Sequence, residues 1–285
     1  MSSARPRRSA LYMPAGNPRA VEKARSLACD VVILDLEDSV APDAKPAALD
    51  LALAETGRGG FGRRELVIRV NGLDTPWGES DLTAIAEAAV RPAAVLAPKV
   101  STPEDVAAYA ARLPVGIDLW IMVETCASLF SLGRLAASGG PLAALVVGSN
   151  DLVKEMRCRA DAERRPLQAA LSLTVAAARA NGLTALDGVW NDIADLTGLE
   201  RQCRQGLEFG FDGKTLIHPD QIAAANQAFA PEPDEVAWAR TVVAAFDSPE
   251  NRGKGVLRVE GRMVERLHLE QALRLMEIAA ALEET

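Results

Sequence analysis

VVILDLED (Val31 to Asp38), LVIRVN (Leu66 to Asn71), AVLAPK (Ala94 to Lys99), LWIMVET (Leu119 to Thr125) and ALVVGSND (Ala144 to Asp151) share one design: an apolar run that gives way to polar or charged residues. A stretch of helical character follows each of them. Short apolar runs alternating with amphipathic helices indicate βα units and a parallel sheet. When many such strands carry their polar groups at the C-terminal end, the natural architecture is a (β/α)8 TIM barrel, whose sites sit on that rim. The residues to watch are therefore Asp35, Glu37, Asp38, Arg69, Asn71, Lys99, Glu124 and Asp151.

On either side of these runs the same alternation continues. SALYMP (Ser9 to Pro14) reads as a first strand, and Pro18 opens a helix through PRAVEKARSLA. Pro42 begins the second helix and the glycine-rich GRGGFG ends it. A third helix is expected over roughly Trp77 to Val90. Thr102-Pro103-Glu104-Asp105 combines an N-cap, an N1 proline and first-turn acids. Leu152 to Pro166 is polar and reads as a loop before a helix from Leu167 to Asn181. LTALDGV and GFDGKTLIHP supply the seventh and eighth strands, and Pro219 opens the last barrel helix. The barrel is expected over residues 1–230 and a C-terminal helical extension over 231–285. In that extension a helix spans Asp234 to Phe246, Ser248 to Gly261 is a loop, and a helix runs from Met263 to Glu284.

The composition narrows the function. A formal charge of -8 and a pI near 5.0 argue against a nucleic-acid or anionic-membrane surface. No apolar run approaches the ~18 residues that span a bilayer, and the basic start (Arg5, Arg7, Arg8) lacks the apolar core of a secretory signal. The four cysteines, Cys29, Cys126, Cys158 and Cys203, show no CxxC spacing, which fits reduced thiols in the cytoplasm. With only His218 and His268 available, any bound metal must be held by carboxylates. Oxygen ligands suit Mg²⁺ or Mn²⁺.

Glu124 and Asp151 close the fifth and sixth strands, which in a sheet lie about 4.8 Å apart. Both carboxylates can then reach one ion, with water or substrate oxygens completing the shell. The alternative for Asp151 is an ordinary helix cap. Arg69 should face the barrel mouth, where its planar fork would bind a carboxylate or oxyanion; a structural ion pair with Asp35 or Glu37 is the competing reading. GSNDL, with Gly148, Ser149 and Asn150, sets free backbone N–H groups before a helix and could hold an anion. Three acids in DLED would repel one another unless Lys45 or Lys99 offsets them. His218 in TLIHP reads as a packed or capping residue.

These residues resemble a known pattern. RSALYMPAG, DVVILDLEDSVAPDAK, VIRVNG, APKV, MVET, VVGSNDL, LDGVWNDIAD, GFDGKTLIHPDQI and GVLRVEGRMVE run in the order expected of the citrate lyase β-subunit-like (CitE-like) proteins of the HpcH/HpaI aldolase/citrate lyase superfamily. The resemblance implies a Mg²⁺-dependent carbon–carbon lyase acting on a 3-hydroxyacyl coenzyme A thioester, of the citramalyl-CoA or citryl-CoA type. Retro-Claisen cleavage would yield acetyl-CoA and a 2-oxo acid. A malyl-CoA-type lyase, a thioesterase, or a subunit that takes its thioester from an acyl carrier protein are the alternatives.

By the same resemblance Glu124 and Asp151 hold the metal and Arg69 the substrate carboxylate or oxyanion. The Gly148 turn takes the 2-oxo-acid end. Asp35, Glu37, Asp38 and Lys99 stand behind these groups. Asp38 occupies a position where related pyruvate aldolases carry a histidine. The thioester's phosphates call for cations, for which Lys45 and then Arg8 are the candidates; an exposed helix lysine is the alternative for Lys45. Relatives commonly carry a proton-exchanging aspartate in a tail segment like G-x-M-I-D-x-P. Here GRMVERL places Glu265 there and Leu267 at the proline position. The extension is expected to pack over a barrel mouth, by resemblance that of an adjacent subunit in a homo-oligomer (trimer or hexamer).

Overall fold

Eight parallel strands close into a barrel in chain order: β1 (Ser9–Pro14), β2 (Val31–Asp35), β3 (Glu65–Arg69), β4 (Ala94–Ala97), β5 (Asp118–Val123), β6 (Leu142–Val147), β7 (Thr184–Asp187) and β8 (Gly213–Leu216). In this computed structural model, which describes residues 5–283, Ala10 pairs with Val31 on one side and with Thr215 on the other, closing the cylinder. Because each strand is buried on both faces, its sequence is a near-continuous apolar run rather than an alternation. The period of two still sorts the side chains. Ala10, Ile33, Val67, Leu96, Trp120, Met122, Val146 and Leu186 fill the interior. Their neighbours, such as Leu11, Val32, Ile68 and Ile121, pack outward under the helices.

The helices are α1 (Pro18–Ala24), α2 (Lys45–Arg58), α3 (Gly78–Glu87), α4 (Pro103–Ala110), α5 (Cys126–Ala136), α6 (Ser149–Glu155), α7 (Gln168–Ala180), α8 (Leu196–Phe209) and α9 (Ile222–Ala228). Local chemistry sets several of their starts. Thr102 accepts from the Asp105 N–H while Asp105 reaches back, a full capping box behind Pro103. His218 is a cap as expected, its Nδ1 accepting from the Asp220 N–H at 3.3 Å.

Two sequence expectations are corrected in the barrel. The polar stretch from Leu152 is not all loop: α6 runs to Glu155 and buries Leu152 against the barrel. The helix α8 is additional to the elements expected from the sequence; its Gly198, Leu199, Gln202, Cys203 and Gly206 form the buried face.

Ion pairs close the N-terminal end of the cylinder. The Arg7 guanidinium grips Glu65 at 2.6 and 2.8 Å, donates to Thr184 at 2.8 Å, and lies 4.9 Å above the Trp120 ring. A second buried cluster sits behind the sheet. Arg164 and Lys214 flank Asp187 at 2.6 and 3.1 Å, and Lys214 also reaches Gln202 and the Gly188 carbonyl.

Residues 230–283, with residues 5–6, form a second compact unit. It holds α10 (Pro233–Asp247), β9 (Val256–Val259), β10 (Arg262–Glu265) and α11 (Arg266–Glu283). The expected loop and early helix are thus an antiparallel hairpin. Glu260 and Gly261 both take positive φ (47° and 82°) at its turn, the conformation that two-residue hairpins require. Leu257, Val259 and Val264 face Ala239, Val242 and Ala272 in a small core. Among the described residues no helix is long and apolar enough to cross a membrane.

Candidate active site

The C-terminal mouth of the barrel holds a cavity of about 350 Å³ lined by Tyr12, Asp35, Asp38, Arg69, Met122, Glu124, Gly148, Ser149, Asn150, Asp151 and Thr215, among others. The lining residues lie toward the C-terminal ends of the strands or in the loops and helix starts that follow them, so the sheet register brings together groups from across the chain.

Arg69 ends β3 and is buried. Its Nε and Nη2 donate to the two carboxylate oxygens of Asp35, each at 2.7 Å, and Nη1 lies 2.7 Å from Glu37 Oε2. The Tyr12 ring stacks 4.8 Å below the guanidinium. The structural ion pair is therefore real, and it also aims the guanidinium into the cavity. Burial pushes the Asp35 carboxyl up, but the Arg69 fork and the N–H groups of Glu37 and Ser39 outweigh it and hold Asp35 below the ordinary range. Glu37 behaves differently. Its Oε2 sits close to Arg69 but off the N–H direction, and it has no hydrogen bond. Burial then wins and raises Glu37 to about 7. Asp38 is largely exposed, 3.6 Å from Arg69 Nη1.

Glu124 follows β5 and is 1% exposed. Oε1 accepts from the Lys99 backbone N–H at 2.7 Å, whereas Oε2 is buried with no hydrogen-bond partner. Burial raises its pKa, and Lys99 offsets this only in part. Gly148, just after β6, makes the packing possible: a Cβ there would lie 2.5 Å from both Glu124 Cβ and Oε2. Asp151 does not sit at a matching strand end, as the apolar pattern implies, but in the first turn of α6. It is not a helix cap either, because its Oδ1 pairs with Lys99 Nζ at 2.7 Å. The same ammonium lies 3.3 Å from Glu124 Oε1, so the two carboxylates do converge, with a lysine between them.

The Gly148 N–H is donated to the Val123 carbonyl at 3.0 Å. This leaves Ser149 and Asn150 as the polar groups of the turn, and the Asn150 amide pairs with Asn191.

Two expected cations do not line the cavity. Lys45 is 8% exposed and its Nζ donates to the carbonyls of Leu36 and Glu37 (2.8 Å each) and to Asn71 Oδ1 (2.7 Å). It ties the loops after β2 and β3 together and is not free for phosphate; nor is it the exposed helix lysine of the alternative. Arg8 precedes β1 at the opposite end, where its guanidinium pairs with Asp30 at 2.8 and 2.9 Å. Glu265 closes β10 in the other unit, its N–H donating to His268 Nδ1 at 3.0 Å. Tyr12, Met122 and Thr215 are lining residues that sequence reasoning missed. The alternation in ALYMP could have found Tyr12, which shares a face with the interior Ala10.

Comparison with known proteins adds four findings. The family model for HpcH/HpaI aldolase/citrate lyase matches residues 8–219. Over 279 residues the chain is 45% identical to a (3S)-malyl-CoA thioesterase of Cereibacter sphaeroides, covering 98% of this chain and 96% of that protein. Human mitochondrial citramalyl-CoA lyase is 31% identical over 296 residues, 98% of this chain and 87% of that one. Among solved structures, CitE from Mycobacterium tuberculosis in complex with magnesium, acetoacetate and coenzyme A superposes with a TM-score of 0.78 at 33% identity. That match covers 98% of this chain and 100% of that one.

Proposed function

The chain belongs to the HpcH/HpaI aldolase/citrate lyase family, and accordingly we propose a Mg²⁺-dependent enzyme for a malyl-CoA-type thioester, with hydrolysis of the thioester as its main outcome. The observation that carries the metal is Glu124 Oε2, a carboxylate oxygen buried beside the cavity without a partner. A buried charge left so is costly unless a cation completes it. Glu124 and Asp151 would hold the ion. Among the described residues no third His, Cys, Asp or Glu joins them, and two carboxylates plus water or substrate oxygens suit Mg²⁺, with Mn²⁺ as the usual substitute. When bound, the ion would supply Lewis-acid stabilisation of negative charge on a substrate oxygen.

The chain's own groups do the rest. Arg69, rigidly held by Asp35 and Tyr12, keeps N–H groups on Nη1 and Nη2 for the substrate's free carboxylate or for a developing oxyanion. Ser149 and Asn150 border the other side of the cavity. Its volume, about 350 Å³, is enough for a four-carbon dicarboxylic acyl group but not for coenzyme A as well. The nucleotide therefore lies outside it.

The 45% identity to a malyl-CoA thioesterase, against 31% to a citramalyl-CoA lyase, favours hydrolysis over the carbon–carbon cleavage expected first from the sequence. Retro-Claisen cleavage of citramalyl- or citryl-CoA is the second reading. Incubation with malyl-, citramalyl- and citryl-CoA plus Mg²⁺ separates them. Free CoA and malate without acetyl-CoA or glyoxylate supports hydrolysis. Acetyl-CoA with a 2-oxo acid would replace it with the lyase reading, and turnover only with an acyl carrier protein would make the chain a subunit.

A further inference from the structure

The ammonium of Lys99 stands where the proposed metal would go. Its Nζ is 2.7 Å from Asp151 Oδ1 and 3.3 Å from Glu124 Oε1, so one monovalent cation already offsets part of the charge of the two acids. The backbone of this residue is tied to one of the same acids. Its N–H donates to Glu124 Oε1 at 2.7 Å while φ is +55°. A non-glycine residue in that region is strained and persists only where its surroundings over-determine it. Here the backbone is pinned to one proposed ligand and the side-chain tip to the other. The side chain is nonetheless 36% exposed, so the tip has a way out to solvent while the backbone stays.

We infer that Lys99 is an internal, displaceable occupant of the divalent-cation position: its ammonium and the metal compete for the oxygens of Glu124 and Asp151, and metal entry drives the side chain out. This rests on the metal reading above. A divalent cation drawn to these carboxylates would meet an ammonium already 2.7 Å from Asp151 Oδ1 and 3.3 Å from Glu124 Oε1, and two cations so close repel each other. The lysine keeps two acids gathered when no metal is present and sets the threshold for metal uptake.

The test is Mn²⁺ affinity, read from the electron paramagnetic resonance of free Mn²⁺ after chelator treatment of the whole protein. Lys99→Met should bind Mn²⁺ about tenfold more tightly than the parent, the scale of a lost charge-assisted hydrogen bond reduced for partial exposure. Lys99→Arg, which keeps a cation, should bind no more tightly than the parent. Saturating Mg²⁺ should also raise Tm more in Lys99→Met than in the parent, because the variant starts from two uncompensated acids. If Lys99→Met does not fold, Lys99→Gln gives the same reading. Equal or weaker affinity in a folded Lys99→Met or Lys99→Gln would overturn the inference and leave the metal site standing. No Mn²⁺ binding by parent or variants would remove the metal reading and this inference with it.

Discussion

Gly148→Ala is the sharpest steric test of the site. Gly148 has φ −96°, a conformation alanine adopts without backbone strain, so any effect must come from what the new methyl meets. It would meet Glu124 Cβ and Oε2 at 2.5 Å and Met122 Cε at 3.0 Å. Carbon contacts relax at about 3.5–4.0 Å, so Gly148 and Glu124 must separate by about 1 Å. Met122 can swing its thioether tip aside, but Glu124 cannot retreat freely. Its Oε1 is held by the Lys99 N–H, and the Gly148 N–H is bonded to Val123, the residue before it. A 1 Å displacement of a catalytic group costs about 10²-fold in rate, and overpacking costs about 1–3 kcal/mol in stability. The expected result is at least tenfold weaker Mn²⁺ binding, kcat/KM lower by about 10², and a modest fall in Tm. Gly133→Ala is the control, since nothing lies within 4 Å of a Cβ there; on helix α5 it should be neutral or stabilise by about 0.5–1 kcal/mol. A Gly148→Ala protein with parental Mn²⁺ affinity and turnover would refute the assignment of Glu124 to the metal.

Three further outcomes follow from the same geometry. Glu124→Gln and Asp151→Ala should each abolish Mg²⁺-dependent turnover with a circular dichroism spectrum like the parent's; normal Mg²⁺-dependent activity in either would remove that residue from the site. Asp187→Asn should destabilise by about 3–5 kcal/mol in urea unfolding, because it leaves Arg164 and Lys214 buried without a counter-charge, whereas Lys214→Met keeps the Arg164–Asp187 pair and should cost less. Glu37 titrates near 7 when folded against an ordinary 4.5. Its protonation therefore favours the folded state, and the stability it contributes is complete below about 4.5 and lost as the pH rises through about 7. That difference is of order 3 kcal/mol, so metal-free protein should lose stability across this window relative to Glu37→Gln, and parallel stability curves would show that Glu37 is not raised.

The helices α6 and α8 are not legible in the sequence, whereas the order of the eight strands, the closed barrel and the rim on which polar groups collect are. They follow from local chemistry: buried parallel strands need apolar runs, and caps such as Thr102 with Pro103 mark helix starts within a few residues. Glu124, Arg69 and Gly148 can also be carried to the mouth this way, since a strand's end is legible from where its apolar run stops; Asp151, in the first turn of α6, cannot. The β9–β10 hairpin is written in the alternation of VLRV and RMVE around Glu260-Gly261, but glycine and charge mask it. The partners that each charge takes are a different matter, and they depend on the folded chain. Lys45 and Arg8 look equally free in the sequence, yet one is enclosed by three oxygens of neighbouring loops and the other is paired at the far end of the barrel. Asp187 meets Arg164 and Lys214 across 23 and 27 residues, and Lys99 bridges Glu124 and Asp151 across 25 and 52. Coulomb pairing depends on distances of a few ångströms that chain separation does not encode, so these contacts exist only once the barrel closes.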